Sequence, residues 1–342
     1  MTSAESVRPI MLAVVGDSAA GKTTLTAGIA RTLGANRVTV LCTDDYHRYD
    51  RKQRAELGIT PLHPDCNNLD ILCEHLALLQ RGRPILKPVY DHRTGTFGPP
   101  VSVVPREFVI AEGLHGMSNT ALRQTFDVRI YLDPPEELRH RWKVARDTAK
   151  RGYTDEQVLA ELERREPDSR DYIRPQRAFA DIVIRFQRPE GENQDDAHLD
   201  AHLVLRASLP HPDLSAVVEQ VERESGRMRL KVGRDDGRLA ELLDIAGTAS
   251  PVDVLGLELH IQDELGKIGV LEPKAIGMVQ DGQAMHQSVP LALAQLLVAY
   301  HLLRMRHTIQ SESQRDRTAL RDAASTGGLA YVLPEETAYT FD

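Results

Sequence analysis

Residues 10–24, IMLAVVGDSAAGKTT, join an apolar run to the pattern Gly-x-x-x-x-Gly-Lys-Thr. This spacing predicts a strand, a phosphate-binding loop and the start of a helix. Glycine leaves room for backbone N–H groups to curl around phosphate oxygens, and the helix N-terminus adds a favourable dipole. Lys22 would reach the β- and γ-phosphates of a nucleotide, and the Thr23 hydroxyl would bind Mg²⁺. The predicted nucleotide-binding residues are Gly16, Asp17, Ser18, Ala19, Ala20, Gly21, Lys22, Thr23 and Thr24.

Charged residues follow a second apolar run, in the segment 43–51 (TDDYHRYDR). A carboxylate that follows a strand there would accept the proton of an acceptor hydroxyl. His47 and Arg51 come shortly afterwards and would bind an anionic acceptor, since the rigid fork of arginine matches phosphate oxygens. A solvated charged loop is the alternative, and the phosphate loop upstream favours the binding site.

A second acidic group, Glu112, ends another apolar run in the segment 109–116 (VIAEGLHG). An apolar run that ends in a carboxylate is common and is weak evidence by itself. Beside Thr23, however, Glu112 would hold Mg²⁺ directly or through water.

A helical segment at 143–153 carries charges about one turn apart and ends at Gly152, which is suited to a helix terminus. Such a segment would form a lid that closes over a transferring phosphoryl group, although a solvated, ion-paired face is the alternative. The charged residues are Lys143, Arg146, Asp147, Lys150 and Arg151.

Two weaker features accompany these motifs. The segment 88–95 predicts the tip of a β-hairpin that gathers Tyr90, His92 and Arg93, and a binding role and a simple exposed turn are equally compatible with it. Arg164 and Arg165 would bind an anion or complement the dipole of the preceding helix.

The elements that must position these residues alternate between strands and helices through the first 190 residues. Predicted strands lie at 10–15, 37–42, 107–112, 127–132 and 181–186, and predicted helices begin after Lys22 and span 69–81, 135–150 and 155–165. This alternation predicts an α/β fold with a mainly parallel sheet covered by helices on both faces, as in P-loop NTPases. The site is then expected at the carboxyl ends of the strands.

The polar, acidic segment 188–200 separates this kinase-like part (1–200) from a smaller α+β part (201–307). The latter shows strand-like runs at 202–209, 228–232 and 254–260 and helical runs at 213–225 and 291–306. It would either extend the sheet or form a subunit interface. Residues 308–342 are polar and weakly periodic, which predicts a flexible tail.

Composition excludes several classes of protein. Of 342 residues, 41% are hydrophobic and 27% are charged, with a net charge of −8, so a general nucleic-acid surface is not expected. The longest apolar stretch, 290–303, is too short to span a bilayer, and no signal peptide is recognisable. Cys42, Cys66 and Cys73 predict neither a disulfide framework nor a zinc site. A cytoplasmic protein without a membrane or nucleic-acid partner is therefore expected.

Taken together, six segments resemble the phosphoribulokinase/uridine kinase family of P-loop kinases. They are GDSAAGKTT (16–24), DDYHRYDRK (44–52), ALLQRGRPILKPVYDHRTG (77–95), IAEGLHG (110–116), ARDTAKRGYT (145–154) and IRPQRAFADIVIRF (173–186). The resemblance implies an ATP- and Mg²⁺-dependent kinase that phosphorylates the 1-hydroxyl of D-ribulose 5-phosphate. The alternatives are a kinase acting on uridine or another sugar phosphate, and a nucleotide-binding regulator without activity.

The resemblance also implies roles for individual residues. Asp44 matches the catalytic aspartate, Asp147 a second catalytic acid and Glu112 the acid of the metal site, while Lys22 is expected to act in catalysis. The expected substrate-binding residues are His47, Arg51, Tyr90, His92, Lys143, Arg146 and Arg151. Ala20 stands where chloroplast members carry a cysteine that pairs with the equivalent of Cys42, so that disulfide switch is not expected. The spacing of 44–52 favours a homodimer.

Overall fold

The computed structural model describes residues 7–191, 198–266, 268, 269, 271, 276–281 and 284–325. The strands are β1 (Ile10–Gly16), β2 (Val38–Cys42), β3 (Ile85–Asp91), β4 (Thr96–Val103), β5 (Phe108–Gly113), β6 (Val128–Leu132), β7 (Ile182–Gln187), β8 (Asp200–Arg206), β9 (Met228–Asp235), β10 (Arg238–Ile245), β11 (Met278–Asp281) and β12 (Ala284–Gln287). The helices are α1 (Lys22–Leu33), α2 (Arg51–Leu57), α3 (Leu69–Gln80), α4 (Thr120–Thr125), α5 (Glu136–Arg151), α6 (Asp155–Asp168), α7 (Ser215–Ser225), α8 (Pro251–Leu265) and α9 (Val289–Ser325).

Eight strands form one sheet in the order β2-β5-β1-β6-β7-β8-β10-β9. The first five of these are parallel, and β8, β10 and β9 continue the sheet as antiparallel neighbours. The predicted α/β fold with a mainly parallel sheet is therefore confirmed. This order places the carboxyl ends of β1, β2 and β5 side by side, where the predicted site residues follow.

The central strand β1 is buried on both faces, as expected for a parallel strand between helical layers. Ile10, Leu12 and Val14 pack into a cluster with residues of α1 and α9. Met11, Ala13 and Val15 point to the opposite face and pack with residues of α3 and α4. This two-sided burial holds the end of β1, and hence the phosphate loop, in a fixed position.

The C-terminal part extends the same sheet through β8, β9 and β10, which is the first of the two arrangements considered from the sequence. Helix α9 packs against α1 and extends to Ser325, beyond the predicted helix at 291–306 and beyond the predicted start of the tail at 308. Residues 326–342 of that tail lie outside the described residues. Among the described helices, none combines the length and the apolar character needed to cross a membrane.

Two secondary-structure elements of this part differ from the prediction. The strand predicted at 254–260 is the middle of α8, because Ser250 caps that helix, Pro251 occupies its first turn and Asp253 completes a capping box. Strand β10 was not predicted, although the sequence Asp236-Gly237 between β9 and β10 signals a tight hairpin. Both residues adopt the positive φ that such a turn requires, 48° and 77°.

A buried glutamine joins α9 to the helix that follows the phosphate loop. The Gln295 amide donates to the Thr24 carbonyl at 3.2 Å and accepts from the Gly277 N–H at 2.7 Å. Gly28 on α1 permits this approach, because a Cβ there would lie 1.9 Å from the Gln295 Nε2 atom. Gln295 thus satisfies the buried Gly277 N–H and also bonds a partly buried carbonyl at the contact between α1 and α9.

Gln295→Ala is expected to lower the free energy of unfolding by about 1–3 kcal/mol, because it leaves the buried Gly277 N–H without its partner. Urea unfolding followed by circular dichroism measures the loss. Gln314→Ala, at an exposed position of the same helix, is the control and should change stability by less than about 0.5 kcal/mol. Equal stabilities of the two variants would contradict this role of Gln295.

Candidate active site

The phosphate loop connects β1 to α1 with two residues in the left-handed region, Ala19 at φ 67° and Gly21 at φ 91°. Glycine adopts this conformation at no steric cost, whereas alanine pays for it, and such strain is typical of functional loops. The Lys22 amine donates to the Gly16 and Asp17 carbonyls at 2.9 and 2.8 Å. These bonds hold the amine over the loop, where a phosphate chain would be bound.

Thr23 and Glu112 meet at the start of α1. The Thr23 hydroxyl donates to Glu112 Oε1 at 3.2 Å, while Glu112 Oε2 is buried and makes no hydrogen bond of good geometry among the described residues, although the Thr26 side chain acts to lower the pKa of the carboxyl. Burial raises the pKa of the Glu112 carboxyl, and the charge of Lys22 opposes that rise. Hydroxyl and carboxylate oxygens are the donors that Mg²⁺ prefers, and the orphaned oxygen is available, so these residues fit the predicted metal.

Asp44 lies on a short 3₁₀ turn (Thr43–Tyr46) after β2, beside the end of β5. Gly113 permits this proximity, because a Cβ on it would lie 1.8 Å from Thr43 Oγ1 and 2.9 Å from Asp44 Oδ1. Burial acts to raise the pKa of the Asp44 carboxyl, but the positive charge of Lys22 is the largest opposing cause and the pKa is lowered. The structure therefore brings the predicted base and the predicted phosphate-binding lysine into one site.

The adjacent carboxylate, Asp45, is committed to a different contact. It forms an ion pair with Lys87 of β3 and accepts from the Tyr90 backbone N–H at 2.9 Å. Asp45 thereby attaches the β3–β4 hairpin to the turn that carries Asp44. The predicted hairpin is confirmed by the pairing of β3 with β4.

The hairpin brings aromatic rings to His47. The ring centroid of His47 lies 4.8 Å from that of Tyr90 and 6.3 Å from that of His92. The Nδ1 atom of His47 is hydrogen-bonded to the side chain of Asn67 at 2.8 Å. Burial lowers the pKa of His47 to about 4 despite the charge of Asp44. His47 is therefore uncharged at neutral pH, and its binding of the acceptor stays a prediction.

Arg51 fastens the tip of the hairpin to α2. Its guanidinium donates to the His92 carbonyl at 2.5 Å, and its backbone N–H donates to the Gly95 carbonyl at 2.8 Å. Arg54, which the sequence analysis did not identify, donates to the Tyr90 hydroxyl at 2.6 Å. The binding of an acceptor by Arg51 and Tyr90 stays a prediction, since both residues have partners within the protein.

The segment predicted as a lid (143–153) lies mainly on α5, which ends before Gly152 and is followed by α6, and its closure over a phosphoryl group stays a prediction. Lys143 and Asp147 pair at 2.8 Å, and Arg146 Nε donates to the other Asp147 oxygen at 2.8 Å. Burial lowers the pKa of Lys143 to about 8, with Arg165 adding to the effect. Burial acts to raise the pKa of Asp147, but the bonds from Arg146 and Lys143 lower it to about 2.

The lid faces the phosphate loop across a cleft. The positive charge of Arg146 acts to lower the pKa of Lys22. The Nη2 atom of Arg146 is buried and has no hydrogen-bond partner among the described residues. The side chains of Lys150 and Arg151 lie outside the described part, so the predicted role of Arg151 stays a prediction. The cleft is lined by Asp17, Ser18, Leu62, Arg139, Lys143, Leu162, Arg165, Glu166 and Ser169.

Arg139 is a residue of this cleft that the sequence analysis missed. It is buried, donates to the Ser18 carbonyl at 3.3 Å and lies 3.6 Å from the Asp17 carboxylate. Arg139 precedes Lys143 by one helical turn, so an extension of the charged stripe toward the helix start would have identified it. Arg165 lines the same cleft, although it also pairs with Glu161.

The sequence of this chain is similar to those of known kinases. The family model described as Phosphoribulokinase / Uridine kinase matches residues 11–190, more than half of the chain. The chain is 42% identical to a phosphoribulokinase of Synechocystis over 178 residues, 52% of this chain and 54% of that protein. It is 39% identical to the chloroplastic phosphoribulokinase of Mesembryanthemum crystallinum over 168 residues, 48% of this chain and 42% of that protein. The chain thus spans about half the length of these relatives.

Two further proteins are similar to this chain at lower sequence identity. A uridine kinase of Latilactobacillus sakei is 31% identical over 198 residues, 56% of this chain and 90% of that protein. The solved structure of a phosphoribulokinase from Rhodobacter spheroides superimposes with a TM-score of 0.54, covering 76% of this chain and 97% of that one, at 20% identity. At this identity the structural match supports the fold alone.

The low pKa of Asp147 predicts that its ionised form stabilises the folded protein. Asp147→Asn is expected to lower the free energy of unfolding at pH 7 by about 2 kcal/mol, since the folded pKa lies below the ordinary value of about 3.9. This contribution is present above the unfolded pKa and is lost as the pH falls through the folded pKa. The difference between wild type and variant should therefore shrink between pH 4 and pH 2.

Urea unfolding at pH 7, 4 and 3 measures that difference. Glu163→Gln, at an exposed carboxylate of α6, serves as the control and should change stability by less than about 0.5 kcal/mol at each pH. A difference for Asp147→Asn that stays constant from pH 7 to pH 3 would show that the ion pair is not the cause.

Proposed function

Because the chain belongs to the phosphoribulokinase / uridine kinase family, we propose that it is an ATP-dependent kinase that phosphorylates the 1-hydroxyl of D-ribulose 5-phosphate. The observation that carries this proposal is the meeting of Asp44 with Lys22 at the carboxyl edge of the sheet, beneath a cationic lid. A base beside a phosphate-binding amine is the arrangement that phosphoryl transfer to a hydroxyl requires.

The nucleotide is held by the phosphate loop, residues 16–24, with Lys22 at its β- and γ-phosphates. Thr23 and Glu112 hold Mg²⁺, which supplies positive charge to the phosphate oxygens when it is bound. The unpartnered Glu112 Oε2 supports this assignment. Both ATP and Mg²⁺ are part of the proposal.

Asp44 accepts the proton of the attacking hydroxyl as the new O–P bond forms and the bond to the departing ADP breaks. The Asp44 carboxyl is deprotonated at neutral pH, because Lys22 lowers its pKa. Lys22 and Arg146 offset the negative charge that spreads over the transferring group. Asp147 fixes Arg146 and Lys143 at the lid, which makes it a positioning residue in this scheme.

The cations of the cleft support a phosphorylated acceptor over a neutral nucleoside. Lys143, Arg139 and Arg165 line the cleft, and although each also pairs with a carboxylate of the chain, their ammonium and guanidinium groups are the donors that suit a phosphate. The relatives that share 42% and 39% identity are phosphoribulokinases, which supports ribulose 5-phosphate within this class. The cytoplasmic location and the homodimer stay predictions.

An ADP-release assay with a panel of acceptors tests the proposal. Purified protein with MgATP should release ADP when ribulose 5-phosphate is present and should release little with ribose 5-phosphate, uridine or no acceptor. Mass spectrometry should detect a second phosphate on the product. Turnover of uridine without turnover of ribulose 5-phosphate would overturn the choice of acceptor, and nucleotide binding without any turnover would indicate a regulator.

Asp44→Asn is expected to lower kcat by about a hundredfold or more, because the variant cannot accept the proton, while KM for ATP changes little. The neighbouring variant Asp45→Asn is the control. Its amide oxygen still accepts from the Tyr90 N–H, so its loss of kcat should be at least about tenfold smaller than that of Asp44→Asn. Similar kcat values for the two variants would remove Asp44 from the role of base.

A further inference from the structure

His115 is a buried imidazole without a hydrogen-bond partner among the described residues. His115 comes two positions after the end of β5 and is only 3% exposed. Neither nitrogen of its ring makes a hydrogen bond to the described residues. The Leu62 main chain lies beside the ring and acts to raise its pKa, but without hydrogen-bond geometry. A buried polar ring without a partner is costly, and such groups in native proteins call for an explanation.

The ring shares its surroundings with the proposed base. Asp44 Oδ1 lies 2.9 Å from where a Cβ on Gly113 would stand, two residues before His115, and Asp44 and His115 act on each other electrostatically. Burial lowers the pKa of His115 to about 4, as it does for His47, so both rings are neutral at neutral pH. A neutral imidazole offers one donor and one acceptor, which matches a hydroxyl better than a phosphate.

We propose that His115 hydrogen-bonds an uncharged hydroxyl of the acceptor beside Asp44, and that it selects the polyhydroxylated end of a sugar phosphate. The proposal rests on the proposed kinase function and names a specificity residue of that same site. Charge separates the two ends of the acceptor: the cations of the cleft bind the phosphate, while His115 and His47 face the hydroxyl groups. A site built to bond a hydroxyl rejects acceptors that lack it.

The test compares His115→Leu and His115→Asn with wild type. His115→Leu should lower kcat/KM for ribulose 5-phosphate by about 10- to 100-fold, and His115→Asn, which keeps a donor and an acceptor, should lose less. KM for ATP should stay within about twofold in both. The melting temperature of His115→Leu should be unchanged or higher, because an apolar side chain replaces an unpaired polar one.

His301→Asn is the matched control, since His301 on α9 is equally buried at 3% exposure but pairs with His211 of the segment between β8 and α7. This control should lower the melting temperature and leave KM for the acceptor unchanged. Two results would overturn the proposal. One is kcat/KM within twofold of wild type in both His115 variants. The other is a loss of melting temperature with a parallel rise of KM for ATP, which would make His115 structural.

A measurement on the wild-type protein covers the case in which the variants do not fold. Histidine ring ¹⁵N resonances are recorded with a non-hydrolysable ATP analogue, with and without ribulose 5-phosphate. The proposal expects the acceptor to shift the resonances of a neutral, buried ring, and no shift of such a ring would overturn it. Wild-type turnover of another polyol phosphate but not of ribulose 5-phosphate would refute the proposed acceptor only, and the same variants would then be measured with that polyol phosphate.

Discussion

The amine of Lys22 and the carboxylate of Asp44, both partly shielded from solvent, depend on each other. Burial acts to lower the pKa of Lys22 and to raise that of Asp44, so each group alone would tend toward its neutral form. Their attraction opposes both tendencies, and for Asp44 it prevails. An ionised carboxylate beside a protonated amine, as the proposed function requires, needs both side chains to reach the same place, and the order of the strands brings Lys22 and Asp44 to one edge of the sheet.

The sheet meets this requirement through its order rather than through any single loop. Strand β5 lies between β1 and β2, so the phosphate loop, Glu112 and the turn with Asp44 emerge at neighbouring positions. Gly113 then lets the turn after β2 approach the end of β5, which a Cβ would prevent. On the other side of the loop, Gln295 ties α9 to Thr24, so the C-terminal part supports the nucleotide site from behind.

Local patterns in the sequence predicted the parts of the fold that depend on local physics. The strand before Gly16, the alternation of strands and helices and the lid helix all follow from apolar periodicity and from glycine at the turns. The same reasoning failed at 254–260, where β-branched and apolar residues suggested a strand but the capping box at Ser250 starts a helix. It also missed β10, since charged residues obscured a hairpin that the Asp-Gly pair signals.

The charge states of the site could not be predicted from the sequence, because they depend on burial and on distant partners. Asp44 and Asp45 are neighbouring residues of the same type, and the sequence does not distinguish them. In the structure Lys87 pairs with Asp45 and leaves Asp44 at the site. The sequence did not indicate that burial makes His47 neutral, and His115 carried no signal beyond its place after Glu112. Neutrality of these rings matters for the base: a protonated imidazole beside Asp44 would lower the pKa of the carboxylate further and weaken its affinity for the hydroxyl proton. The burial that uncharges the histidines therefore preserves the basicity of Asp44 while Lys22 keeps it ionised.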